Sequence, residues 1–325
     1  MSKKNLVAFI VTTLAVLALF LAYFSGAFSR KSEMPVPIAT EYHRQYIGDL
    51  VEINGHVYRY NSNLTNILFL GIDTHDTLNR FTNPAYAGQA DALYLLTLDR
   101  STGEARILQI NRNAMVDIDI YNPDGQIMLT QPGQICLQYA YGTGNTQSIW
   151  ATKNTISEML LDIPIESYFV MNIDGISELN DAVGGVRITM PQDYTVIDSS
   201  MRSGARVHIM GDMAERFVRY RNLDEFNSVS DRMSRQVLYI TALLDNLCHR
   251  DGYGMYYVLE PYLGDIVLTN LEPAGFQELY NYNFTNCRVD QIPGEEVATD
   301  NWEEFHVDID ALQQYVIDNF YELSE

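Results

Sequence analysis

Cysteine is scarce in these 325 residues: Cys136, Cys248 and Cys287 are the only three. Three thiols cannot all pair within one chain, and their spacing matches no zinc site, so disulfides are not expected to hold the fold. Lysine is almost as sparse, and after Lys3, Lys4 and Lys31 only Lys153 remains. Positive charge as a whole is in deficit, 21 Lys and Arg against 42 Asp and Glu. The net charge of −21 argues against a general nucleic-acid binder. No Gly-x-Ser-x-Gly nucleophile elbow occurs, and there is no Walker A loop and no His-Glu-x-x-His. The six histidines are scattered. Only His75, beside Asp73 and Asp76, lies near acids of interest, and it reads as a solvent-facing loop residue rather than a ligand. No internal repeat is evident.

An apolar content of 47% is enough for a sizeable core, in one large or two modest domains. Leu6–Phe24 carries no charge and approaches the ~20 residues that cross a bilayer as a helix. It reads as an uncleaved membrane anchor. The small residues Ser25-Gly26-Ala27 leave a cleaved signal peptide as the alternative. Either way the rest of the chain is exported, with the N-terminus inside and the main domain extracytoplasmic. Pro35 and Pro37 mark 32–39 as linker. The chain is therefore divided into 1–28 as anchor, 29–64 as linker and lead-in, 65–250 as the main domain, and 251–325 as a C-terminal extension, either a subdomain or further layers on the main sheet.

Asn66–Asp73 reads as a buried strand that ends in an acid, where open α/β sheets place ligands. Ala92–Leu98 reads as a second, opened by Asp91. If the two are antiparallel neighbours, Asp73 and Asp91 meet at one edge. Two carboxylates at close range repel unless a cation or a proton separates them. A hard divalent ion that completes its shell with phosphate would suit the pair, against the simpler reading that both acids cap strand ends. The long polar loop 74–88 lies between them. After the turn Asp99–Gly103, a returning strand Ala105–Asn111 delivers Arg112 to the same edge, and Asn113–Ile120 continues as an extended piece. Helices are expected over Gln134–Tyr141, Gln147–Leu161 and Gly175–Val183, with a strand over Tyr168–Ile173. Gly184-Gly185 stops the last helix before a strand Val186–Met190. Past Arg250, helices over Pro273–Asn283 and Val307–Phe320 and a strand near Val289–Pro293 are expected. Tyr253, Tyr256, Tyr257 and Tyr262 are expected in the core.

Against the acidic background, Arg216, Arg219, Arg221, Arg232 and Arg235 form a positive island. Arginine presents a planar fork of donors that suits phosphate, where lysine presents a point charge. Asp212 with Glu215 reads as a helix N-cap and its partner. That helix carries Arg216 and Arg219 and frays near Arg221. A polar loop 222–230 follows, and a second helix begins near Asp231 with Met233, Val237, Ile240 and Leu244 on its buried stripe. Arg232 and Gln236 share another face. Two helix ends would thus converge several arginines on an oxyanion. The alternative is a solvated charged face.

In this order the anchor, Gly71-Ile72-Asp73, Asp91, Arg112, Asp181-Ala182-Val183-Gly184-Gly185-Val186, Arg219-Tyr220-Arg221 and Arg232-Met233-Ser234-Arg235-Gln236 resemble the LytR–CpsA–Psr family of envelope proteins, over about Asn66 to Leu247. The fold this implies is a layered α-β-α domain with a central mixed β-sheet, preceded by one N-terminal transmembrane helix. The activity it implies is transfer of a glycopolymer, such as teichoic acid or capsule, from a polyprenyl-pyrophosphate carrier to peptidoglycan at the outer face of the cell membrane. The resemblance makes Asp73 and Asp91 ligands of Mg²⁺ (or Mn²⁺). It makes Arg112, Arg219, Arg221, Arg232 and Gln236 binders of the pyrophosphate. Arg235 and Gln89 join them as candidate binders, and Arg112, Arg219, Arg221 and Asp231 are the candidate catalytic set. The polyprenyl tail would lie in an apolar tunnel.

The chain departs from the family pattern at three positions. Gln89 stands where an arginine is usual, Asn113 where an aspartate is usual, and Val229 where an aspartate precedes the second arginine cluster. Asp231 or Asp224 could substitute for the last, though neither is in register. A general base is therefore missing from the expected places. A non-catalytic or regulatory binder of polyprenyl phosphates or wall polymers is the alternative reading, and an adhesion domain with surface arginines is a third.

Overall fold

The two apolar segments on either side of the 74–88 loop form the centre of the molecule. The computed structural model describes residues 45–47, 50–53, 55–78, 87–142, 144–222, 228–248, 252–284, 287–299 and 302–324. The anchor Leu6–Phe24, the proline linker and Asp224 lie outside the described residues. Among the described residues no helix is long and apolar enough to cross a membrane.

Strand β4 (Leu64–Ile72) pairs antiparallel with β5 (Ala90–Asp99) and parallel with β9 (Ser167–Asn172). Strand β6 (Glu104–Gln109) pairs antiparallel with β5, and the sheet is closed at its two edges by β12 (Val267–Thr269) and β13 (Arg288–Gln291). The order is β12-β9-β4-β5-β6-β13, a mixed six-stranded sheet. Successive side chains of a strand face opposite sides. Leu68, Leu70, Leu93 and Leu95 accordingly enter one core, while Ile67, Tyr94, Leu96 and Leu98 enter the other. A strand covered on both faces is apolar throughout, which is why β4 and β5 read as continuous runs.

Helices fill both sides. On one face lie α3 (Ile173–Ala182), α4 (Asp212–Arg219), α5 (Ser228–Cys248), α6 (Gly252–Leu259) and α7 (Pro273–Leu279), through Leu179, Phe217, Ile240, Leu259 and Phe276. On the other lie α1 (Leu137–Tyr141), α2 (Asn145–Met159) and α8 (Ile309–Phe320), through Tyr139, Ile149, Ile156 and Val316. Small antiparallel pairs surround this frame: β7 (Met115–Tyr121) with β8 (Ile127–Gln134), β10 (Val186–Thr189) with β11 (Arg206–Ile209), and β14 (Gly294–Ala298) with β15 (Glu303–Val307). Tyr58–Tyr60 of β3 (His56–Tyr60) pairs with β16 (Tyr321–Leu323). Residues Tyr58–Glu325 make up one compact unit. The short hairpin of β1 (Gln45–Ile47) and β2 (Leu50–Ile53) belongs to the segment before it.

Several local expectations are corrected. Asp91 lies inside β5, not ahead of it. The expected helix Gln134–Tyr141 is helical only from Leu137, because Ile127–Gln134 is a strand. Pro132 and a largely exposed pattern hid that strand, and both are tolerated at a sheet edge. Helix α4 is capped by Gly211 at φ 53°, with no side-chain capping bond, so Asp212 is a first-turn acid and not the N-cap. Helix α5 starts at Ser228, nearly a turn before Asp231. Tyr253 and Tyr257 are exposed at 56% and 64%, outside the core. The segment 251–325 supplies both edge strands of the central sheet.

Gly88, just before β5, has φ +76°, and a Cβ there would sit 2.9 Å from Ile72 Cγ2 and 3.0 Å from the Asp73 carbonyl oxygen. Gly88→Ala is therefore expected to lower the unfolding free energy by about 1–3 kcal/mol, read by urea denaturation, because it combines a left-handed backbone with a close approach.

Candidate active site

Asp91 is gripped from two sides. Its Oδ1 forms an ion pair with Arg112 Nη2 at 2.8 Å, and its Oδ2 accepts from Arg232 Nη1 at 3.1 Å. The three side chains are 24%, 14% and 10% exposed, so the charges interact with little screening by water. Arg112 sits in the turn after β6. It is steadied by Gln89 Oε1, which accepts from Nη2 at 2.5 Å, and by Asn113 Oδ1, which accepts from Nη1 at 3.2 Å. The amides at two of the unusual positions thus brace an arginine. Among the side-chain atoms that are buried and lack a hydrogen-bond partner among the described residues are Arg112 Nε, Arg232 Nε, Arg232 Nη2 and Glu296 Oε2. Burial lowers the proton affinity of Arg232; Asp91 opposes that shift, while Arg112 and Arg221 add to it. Unmet, desolvated donors of this kind are costly in isolation and are satisfied by an incoming anion.

Asp73 follows the last residue of β4 and is tied back by its backbone N–H, which donates to the Gln89 carbonyl at 2.9 Å. Its Oδ1 accepts from Arg219 Nη2 at 3.2 Å, and Arg219 Nη1 also donates to Glu215 one helical turn earlier at 2.7 Å. Arg221 donates through Nε to Ser228 Oγ at 2.7 Å and through Nη2 to Glu303 Oε2 at 2.8 Å. Gln236 accepts from the buried Tyr94 hydroxyl at 2.9 Å, and its Nε2 donates to the Val218 carbonyl at 3.3 Å. Burial holds the Tyr94 phenol well above its ordinary value, so it stays a donor.

Asp73, Asp91, Arg219, Arg232 and Gln236 line one cavity, whose far wall is Phe69, Ile176, Ile240 and Leu243. Phe69, Ile240 and Leu243 also line a second, wholly apolar cavity between the sheet and α5, reaching Leu247, Leu259 and Phe276. The site is thus a polar mouth on a greasy interior. Arg112, Gln89 and Arg221 do not line it: the first two stand behind Asp91, and Arg221 faces Ser228 and Glu303. Arg235 and Asp231 are turned away from it altogether. Arg235 is buried, and it donates through Nε to the Phe217 carbonyl at 3.1 Å and through Nη2 to the Tyr220 carbonyl. It closes the C-terminal end of α4 and has no fork left for a ligand. Asp231 is exposed on α5 and lies outside the cavity lining. Among the described residues Arg216 makes a 3.5 Å surface pair with Asp198. His75 is 65% exposed and paired with Asp174. Ser228, Glu296 and Glu303 were not anticipated: they follow no motif, and Glu303 reaches the site only through the fold.

Asp73 and Asp91 are the residues that would hold a hard divalent ion such as Mg²⁺ or Mn²⁺, and Asp91 Oδ1, Asp91 Oδ2 and Asp73 Oδ1 pair here with arginines. Both are oxygen donors on one cavity, and among the described residues no cluster of three His, Cys, Asp or Glu could hold a metal. An ion bound by two carboxylates would fill its other positions with water and phosphate oxygens.

A desolvated cationic mouth, a pair of acids and an apolar depth define a site for an amphiphilic anion. The model of the LytR_cpsA_psr family matches residues 25–318, and the chain belongs to that family. It is 26% identical over 235 residues to the polyisoprenyl-teichoic acid–peptidoglycan teichoic acid transferase TagV of Bacillus subtilis (strain 168), a match that covers 70% of this chain and 55% of that protein. It is 25% identical over 300 residues to TagU of Bacillus cereus (strain AH820), covering 90% and 89%. The crystal structure of B. subtilis TagV superposes with a TM-score of 0.60 at 21% identity, over 79% of this chain and 97% of that one. The structure of TagT bound to LIIa-WTA gives 0.58 at 20%, over 79% and 89%. These superpositions support the mixed α/β fold.

Two outcomes are expected. Arg235→Ala should cost about 2–3 kcal/mol in a denaturant melt, since it strands two backbone carbonyls. The Cys136 thiol, wholly buried beside Gln89, is pushed up to about 11 by burial. Native protein at pH 8 should therefore resist iodoacetamide at Cys136, scored by peptide mass spectrometry, whereas urea-unfolded protein should react. The stability this thiol contributes is present below pH 9 and fades as pH rises through about 11.

Proposed function

We propose that this protein transfers a glycopolymer from a polyprenyl-pyrophosphate carrier to peptidoglycan at the outer face of the cell membrane. The observation that carries the reading is the continuity between the Asp91–Arg112–Arg232 cluster and the apolar cavity along α5. A lipid pyrophosphate has that same division, a charged head on a hydrocarbon tail. The names of the relatives, polyisoprenyl-teichoic acid–peptidoglycan teichoic acid transferases, point to the same chemistry. The anchor expected at Leu6–Phe24 would keep the site beside its lipid substrate.

Phosphoryl transfer needs positioning and charge neutralisation more than covalent help from the protein. In this reading Arg232 and Arg112 hold pyrophosphate oxygens through the nitrogens that lack partners, and Arg219 and Arg221 line the approach. Gln236, fixed by Tyr94 and Val218, orients the head at the cavity mouth. Phe69, Ile240 and Leu243 hold the start of the tail and exclude water. Mg²⁺ or Mn²⁺ held by Asp73 and Asp91 would supply neutralisation of the pyrophosphate charge.

A second reading, a binder without turnover, draws support from Val229, which is completely buried and offers no acid at the first turn of α5. The test uses the full chain in detergent with Mg²⁺, a polyprenyl-pyrophosphate-linked teichoic acid saccharide and peptidoglycan oligosaccharides. Covalent transfer is expected, EDTA should abolish it, and Arg232→Ala should slow it by about 10²–10³-fold. Lipid binding with no transfer under either metal would select the second reading.

A further inference from the structure

The acids that touch the arginine cluster come from several elements, and one of them has no assigned task. Among the described residues, Asp73, Asp91, Glu215 and Glu303 pair with its guanidinium groups. Asp73 and Asp91 suit a metal, and Glu215 belongs to the exposed flank of α4. Glu303 arrives from β15, near the end of the chain, and its Oε2 sits 2.8 Å from Arg221 Nη2. Its side chain is 20% exposed, and no other hydrogen bond to the carboxylate is seen among the described residues.

The β14–β15 hairpin is built to hold Glu303 there. Phe305 is buried in the core beneath the sheet, and its N–H donates to the Asn113 carbonyl at 2.9 Å, next to Arg112. The Glu303 carbonyl accepts from Gln134 Nε2 at 2.8 Å. On the partner strand Glu296, opposite Phe305, accepts from Ser230 Oγ at 2.5 Å in the first turn of α5 and from Asn111 Nδ2 at 3.5 Å. Ser228, in that same turn, accepts from Arg221. Glu296 is thereby a clamp between hairpin, helix and the Arg112 turn. Both bonds to Glu296 end on Oε1, and its buried Oε2 has no partner among the described residues. Glu303, with only Oε2 engaged, is the one of the two that pairs with an arginine.

Building on the transferase reading above, we propose that Glu303 is the general base of the reaction. In the substrate-free protein its carboxylate occupies Arg221 as an internal anion. A pyrophosphate oxygen takes its place on Arg221 and leaves the carboxylate next to the reacting phosphorus. The acceptor sugar's hydroxyl oxygen then bonds to that phosphorus. The bond from phosphorus to the bridging oxygen breaks, and its electron pair leaves on the polyprenyl phosphate held by the arginines. The hydroxyl proton passes to Glu303. A positioned base contributes about 10²–10⁴-fold. The C-terminal hairpin in this way supplies the acid absent at Asn113 and Val229.

The test compares wild type, Glu303→Gln and Glu304→Gln as full chains, measuring transfer as above and, separately, binding of farnesyl pyrophosphate. Glu304 turns to the other side of the strand, towards His306 and Trp302, and serves as control. Glu303→Gln is expected to slow transfer by about 10²–10³-fold while binding farnesyl pyrophosphate as well as wild type or more tightly, because the competing anion is gone. Glu304→Gln should transfer at the wild-type rate. Transfer by Glu303→Gln at the wild-type rate would overturn the proposal, as would loss of binding and transfer together, the signature of a purely structural residue. Wild type that binds but does not transfer also overturns it. Wild type that fails to bind farnesyl pyrophosphate removes the transferase reading itself.

Discussion

One carboxylate between two guanidinium groups, Asp91 between Arg112 and Arg232, is the contact on which the rest of the site depends. The three residues come from β5, from the turn after β6 and from α5, so the contact joins sheet to helix. A buried charge is tolerated only when paired, and here two cations share one anion. The excess positive charge remains beside the cavity that Arg232 and Asp91 line, and both arginines keep nitrogens without partners among the described residues. Removing Asp91 would leave two guanidinium groups repelling each other in a poorly screened place. Retaining it fixes them in advance of any ligand, and preorganised donors of this kind need no rearrangement when charge develops.

Helix α5 then decides what sort of anion fits. Arg232, Gln236, Ile240, Leu243 and Leu247 follow one another at intervals of three or four residues, so they share a face. The first two line the polar mouth, and the last three line the apolar cavity behind it. A single helical stripe that changes from charged to aliphatic over four turns produces an amphiphilic slot without any further device. Arg235 shares the first turns of this helix and serves a different end. By capping α4 it sets where Arg219 and Arg221 emerge, so a guanidinium lost to ligand binding is spent on placing two others.

Much of this was readable from the residues. The buried strands, the meeting of Asp73 and Asp91 at one sheet edge, the approach of Arg112 and the shared face of Arg232 and Gln236 all follow from local pattern, because period-2 and period-3.6 burial leave direct traces. What escaped depended on tertiary contact. Arg232 and Arg235 are equally arginine in the sequence, and only the position of α4 turns one toward the cavity and the other onto carbonyls. Asp231 looked like a replacement acid because it is near in the chain, yet helix geometry turns it to solvent. Strand β8 carries a proline and little burial, so neither periodicity nor propensity marked it.

The C-terminal residues illustrate the same limit most clearly. In the sequence, 251–325 reads either as a subdomain or as further layers on the main sheet, and it holds none of the motif arginines. In the fold it provides β12 and β13, the two edges of the sheet, and β15, which docks beside Asn113. An edge strand seals backbone groups that would otherwise be exposed, so this segment is structurally obligatory before any functional role is considered. The β14–β15 hairpin that follows β13 is held separately, by buried Phe305 and by Gln134 and Ser230, and a glutamate on it meets Arg221. Acids lost from the strand ends and from the first turn of α5 can therefore be replaced from a distant part of the chain, because the fold already brings that part within reach.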